Sequence, residues 1–144
     1  MKTTIIFTML TSLLFASSPQ ANVTAVTTKG KTNAYHFAVT LESDETGCEQ
    51  YTDWWEVLSE KGELLYRRIL LHSHPNQQPF TRSGGYVKIK KDDIVYVRAH
   101  MNKLGYVGDM FKGSVENGFE KVEKAPDFNE SIETEAPLPE SCLY

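Results

Sequence analysis

Nothing in this sequence announces a chemistry. It has no Gly-x-Ser-x-Gly turn, no phosphate-binding glycine loop and no His-Glu-x-x-His helix, so the motif-borne hydrolases, nucleotide binders and zincins are set aside. Only two cysteines occur, Cys48 and Cys142, and neither stands in a Cys-x-x-Cys spacing, which removes the zinc-ribbon and dithiol redox frameworks. Basic residues number 15 against 19 acids. A nucleic-acid partner would need a basic face and is excluded on that balance. There is no internal repeat and no low-complexity tract.

What is present begins with an export signal. Lys2 supplies a positive start, Ile5 to Phe15 form an apolar run, and small residues follow from Ala16, the order of a cleavable leader. The run is too short to span a bilayer as a helix. Residues 1–21 are read as signal peptide, 22–115 as one domain and 116–144 as an acidic tail packed on the domain or tethered to it. Removing the leader leaves about 120 residues, enough for a single core. The expected location is periplasmic or extracellular, with no membrane span in the mature chain. In an oxidising compartment two thiols without a competitor pair, so Cys48–Cys142 is the expected disulfide, with a reactive or metal-binding cysteine as the alternative.

Hydrophobic alternation indicates strands. Tyr35, Phe37, Val39 and Leu41 occupy alternate positions between Ala34 and Ser43, the period of a strand with one buried face. Tyr51 to Ser59 follows, with Asp53, Trp55 and Val57 on one face and Trp54, Glu56 and Leu58 on the other. Trp55 is expected in the core and Trp54 half-exposed beside Glu56. Glu60 to Gly62 make a hairpin turn, and residues 64–74 return either as a strand or as a helix, since the leucines and arginines suit both. Pro75 to Gly85 reads as a structured loop pinned by Phe80, after which Tyr86 to Lys90 alternates again through Val87 and Ile89 and Lys91-Asp92-Asp93 turns the chain. Val95, Val97, Ala99 and Met101 then point inward and Tyr96, Arg98 and His100 outward, before an irregular last strand within Leu104 to Val115. From Glu116 to Glu140 there are eight acids and two lysines without any hydrophobic period.

Six or seven short strands with turn signals about every ten residues predict an all-β chain. The fold class is a single antiparallel β-sandwich, an immunoglobulin-like or fibronectin-like variant with an irregular C-terminal tail; small barrels and jelly rolls share the signals.

The stretch from Cys48 to Gly85 holds both tryptophans, three of the four arginines and the one His-x-His. Its pattern of Cys48, Tyr51, Asp53-Trp54-Trp55-Glu56-Val57, Tyr66-Arg67-Arg68, His72-Ser73-His74, Gln78-Pro79-Phe80 and Arg82-Ser83-Gly84-Gly85 resembles a family of small exported bacterial proteins. That resemblance implies export and supplies no activity.

Three functional readings follow. The first is a non-enzymatic binding or structural module, with Trp54, Glu56, Arg68 and Arg98 forming a face suited to a protein, peptide or glycan. On the plainer reading of the same face, Glu56 and Asp53 simply pair with Arg67, Arg68 or Arg98. The second is a metal site: His72 and His74, two apart on a strand, would project together, with His100 as a third ligand and zinc or copper as the ion. The third is a small hydrolase whose Ser/His/Asp set is defined by geometry and not by motif.

Overall fold

The computed structural model describes residues 16–143. The expected leader therefore lies mostly outside the described residues. Eight strands follow one another: β1 (Ala21–Lys31), β2 (Ala34–Ser43), β3 (Thr52–Ser59), β4 (Leu64–Ile69), β5 (Phe80–Val87), β6 (Val95–Met101), β7 (Phe111–Ser114) and β8 (Gly118–Lys121). A 3-10 turn at Glu130–Thr134 interrupts the tail. No helix of the described residues is long and apolar enough to cross a membrane.

The strands form two antiparallel sheets, β1-β2-β5 and β4-β3-β6-β7-β8, packed as the β-sandwich that the alternation predicted. In constant-type immunoglobulin domains the fourth strand joins the sheet of the first, second and fifth. Here it pairs with β3 instead, and β8 is added at the opposite edge. Phe37, Val39 and Leu41 of β2 meet Trp55 and Val57 of β3 and Val95, Val97 and Met101 of β6 in the core between the sheets.

Several sequence expectations are corrected. Residues 64–74 are neither helix nor one long strand: β4 stops at Ile69, because the Leu70 N–H still reaches Asp53 while the His74 N–H is drawn to the Glu45 carboxylate. The segment read as a loop, Pro75 to Gly85, contains most of β5, which begins at Phe80 and not at Tyr86. Its glycines serve packing, since a Cβ on Gly84 would stand 2.5 Å from the Tyr66 hydroxyl oxygen. The sheet also runs past Val115, where the domain was expected to end, through β8. β1 starts at Ala21, where the expected leader ends; this residue is buried and its N–H bonds to the Val107 carbonyl.

The largest difference concerns burial. All of Thr52–Leu58 and every residue of β6 are buried. A strand in a two-layer sandwich shows one face to the other sheet and one to water. The outer faces of β3 and β6 must therefore be covered by something else, and the tail is what covers them. Ile132, 5% exposed, joins Leu58, Tyr96 and Met110 in a second apolar cluster with Tyr106 and Phe128 against it.

Candidate functional site

The outward residues of β3 and β6 do share a surface, as the strand period required. Trp54 is paired in register with His100, and Glu56 with Arg98 on one side and Arg67 of β4 on the other. Register irregularities interrupt this pairing near Thr52. A bulge of this kind redirects side chains, and Asp53 reaches the same face as His100.

Glu56 is the centre of the arrangement. It is fully buried, and its carboxylate accepts from Arg67 Nε at 2.8 Å, Arg98 Nε at 2.8 Å and the Trp54 indole N–H at 3.1 Å. Arg67 Nη2 also lies 2.7 Å from Glu56 Oε2. A buried carboxylate is tolerated when charges and donors surround it in this way. The guanidiniums are stacked as well as paired: Arg67 lies over Trp54 at 4.4 Å and Arg98 over Tyr106 at 3.4 Å.

The tail completes the shell. Arg67 donates to the carbonyls of Ile132, Glu135 and Pro137. His100 Nδ1 lies 2.6 Å from Asp53 and Nε2 2.8 Å from Glu133 of the 3-10 turn. Burial raises the Asp53 carboxyl above the usual range, opposed by its hydrogen bond to His100. Burial, reinforced by Glu56, pushes the Tyr106 phenol up to about 12. The Cys48–Cys142 disulfide, joining residues 94 apart, ties down the far end of the tail, and the Leu143 N–H bonds to Leu71.

The proposed ligand-binding face is thereby rearranged. Trp54 is 3% exposed, not half-exposed, and Glu56 and Arg98 are buried with it. Arg68 is not on this face at all: it is paired in register with Trp55 and donates to the main-chain carbonyls of Ser83 and Ile69. The plainer pairing reading holds for Glu56 with Arg67 and Arg98, whereas Asp53 takes His100.

The three histidines do not converge. His72 and His74 lie beyond the end of β4, with ring centroids 4.4 Å apart, while His100 is held between Asp53 and Glu133. His74 stacks on Phe80 at 4.1 Å and contacts Arg82 through Nε2. Burial, then the Arg82 charge, lowers the His74 pKa. Among the described residues, no group of three or more His, Cys, Asp or Glu side chains is placed to hold a metal ion. Glu45, which sequence reasoning passed over as part of a loop, is a third buried carboxylate beside Glu56 and Asp53; it accepts from Ser43, Thr52, Ser73 and the His74 N–H.

Comparison with known proteins is sparse. No family model matches the chain, and no solved structure does. The chain is similar to a protein of Halomicrobium mukohataei named "Putative lipoprotein", 36% identical over 120 residues that make up 82% of this chain and 59% of the relative. The chain thus spans little more than half of that relative's length.

Proposed function

We propose that this chain is an exported, non-enzymatic sandwich module of the cell envelope or the extracellular space, acting as a binding or structural unit. The observation that carries the reading is the clasp: the tail fills the outer face of β3 and β6, and the Cys48–Cys142 bridge fastens it. A covalent fastening across 94 residues suits an oxidising compartment. The buried Glu56, Asp53 and His100 are each held by partners within the chain. The name of the Halomicrobium relative and the resemblance of the Cys48 to Gly85 stretch to small exported bacterial proteins support the same placement.

Fractionation of a bacterial host expressing the full chain, with thiols trapped at lysis, tests this. The expected result is an oxidised chain in the periplasm, envelope or medium. Recovery from the cytoplasm with both thiols free overturns the reading.

A further inference from the structure

The four arginines fall into two pairs. Arg67 and Arg98 are buried and share the Glu56 carboxylate. Arg68 and Arg82 have no carboxylate partner among the described residues. They line one cavity of about 80 Å³ together with Ile69, Leu71, His72 and His74. We propose that this cleft, where the end of β4 meets β5, binds an oxyanion head group, a carboxylate or a phosphate.

The two guanidiniums are held in place by groups that leave their charge uncancelled. Arg68 donates through Nε to Ser83 and through Nη1 to Ile69. Arg82 donates through Nη1 to Thr81 and through Nη2 to the Nε2 of His74. A guanidinium carries five N–H donors, and each of these uses two of them. Main-chain carbonyls and an imidazole orient an arginine without neutralising it.

His74 is a pedestal. Its side chain is 1% exposed and stacked on Phe80. Accepting at Nε2 from Arg82 puts its own proton on Nδ1, which is buried without a hydrogen-bond partner, with Glu45 Oε2 3.9 Å away. The ring is thus neutral toward the cleft. Glu45 lies behind it, takes four donors of its own and forms no ion pair with Arg82, the His74 ring standing between them. Two fixed forks beside the apolar walls of Ile69 and Leu71 match the planar, charge-assisted recognition of carboxylate and phosphate. Pockets for whole drug-sized ligands run to about 300–1,000 Å³, so 80 Å³ takes one head group and leaves the rest of the ligand outside.

This inference rests on the reading of the chain as a binding module and is independent of where the chain resides. The test is titration of the oxidised full chain with sodium phosphate and, separately, sodium acetate, followed by calorimetry and by NMR of the arginine side-chain and histidine ring signals, against potassium chloride at equal ionic strength. The expected result is saturable binding of at least one oxyanion, with shifts confined to Arg68, His72, His74 and Arg82. Whichever oxyanion saturates identifies the head group. Arg82→Gln and Arg68→Gln should each weaken binding about tenfold or more, the scale of a lost charged hydrogen bond, while Lys61→Gln leaves it unchanged. Linear, unsaturated shifts matching those of chloride overturn the site, and so does tight binding that survives both arginine substitutions. Neither outcome bears on the localisation experiment. Should one arginine variant fail to fold, saturation of the unmodified chain and the other variant still decide.

Discussion

The indole of Trp54 and the imidazole of His100 lie parallel, ring centroids 3.6 Å apart and 6° between planes, at directly paired positions of β3 and β6. The Trp54 indole also donates to Glu56. In contrast, the Trp55 indole N–H is buried in the core without a partner. Trp54→Phe should therefore cost about 1.5–3 kcal/mol, the range for a hydrogen bond to a charged group. Trp55→Phe loses ring volume but also removes an unsatisfied donor, so its loss should be no larger. Urea unfolding of the two variants compares them; a clearly greater loss at Trp55 would contradict the hydrogen-bond argument.

Glu56→Gln keeps the shape and removes the charge that Arg67 and Arg98 share. Breaking a buried pair strands its partners and costs about 3–5 kcal/mol. Arg98→Met in the Glu56→Gln background should recover part of the loss. A loss below about 1 kcal/mol, the scale of surface pairs, would place this cluster in water.

Replacing both cysteines with serine opens the clasp. The loop closed by the bridge spans 94 residues, for which the chain-entropy model gives on the order of 4 kcal/mol. The Cys48→Ser, Cys142→Ser chain should melt earlier and exchange amide hydrogens faster around Ile132 than in β2. Equal protection of the tail in both forms would show that Arg67 and Ile132 hold it unaided.

Tyr106 gives an alkaline signature. Its folded pKa of about 12 stands above the ordinary 10.0 because of burial first and Glu56 second. The folded state therefore retains the phenol proton that the unfolded chain releases. The associated stability is present below pH 10 and is lost as pH rises toward 12. Tyrosinate absorbance should show a late step that Tyr106→Phe lacks, and a titration identical in both proteins would refute the assignment.

His74 acts at the other end of the scale. Its pKa is depressed below the ordinary 6.5 by burial and then by Arg82. The unfolded chain therefore binds the proton first, and stability present above about pH 6.5 declines as pH falls through the folded value. His74→Gln should flatten that acid slope. A folded-state ring signal titrating above 6.5 by NMR would reverse the sign.

Much of the sandwich was legible because its inner positions follow strict alternation. Tyr35, Phe37, Val39 and Leu41 gave β2 with the bounds observed, and the inward and outward sets of β3 and β6 were read correctly except for Asp53, which the bulge beside Thr52 turns from the expected inner face to that of His100. Alternation reports which face a side chain takes, but not what lies over that face. Trp54 was placed on the outer side and wrongly supposed to meet water, because its cover is an aperiodic tail in which Ile132 is the buried residue of the 3-10 turn. The part of β5 before Tyr86 was missed for a related reason: only Phe80 and Val87 at the strand's ends are buried, and Gly84 and Gly85 imitate a loop. The anchoring of Arg82 by His74 had no signal in the sequence, since it depends on where the chain turns after β4.

The clasp also sets an order of events in synthesis. The carbonyls that Arg67 requires, and the thiol that Cys48 requires, belong to residues 132–142, made after all eight strands. A nascent chain can pair its sheets while Trp54, Glu56 and Arg98 still face solvent, and it cannot close that side until the last segment emerges. Locking of that face thus waits on residues 132–142, however early the two sheets have paired.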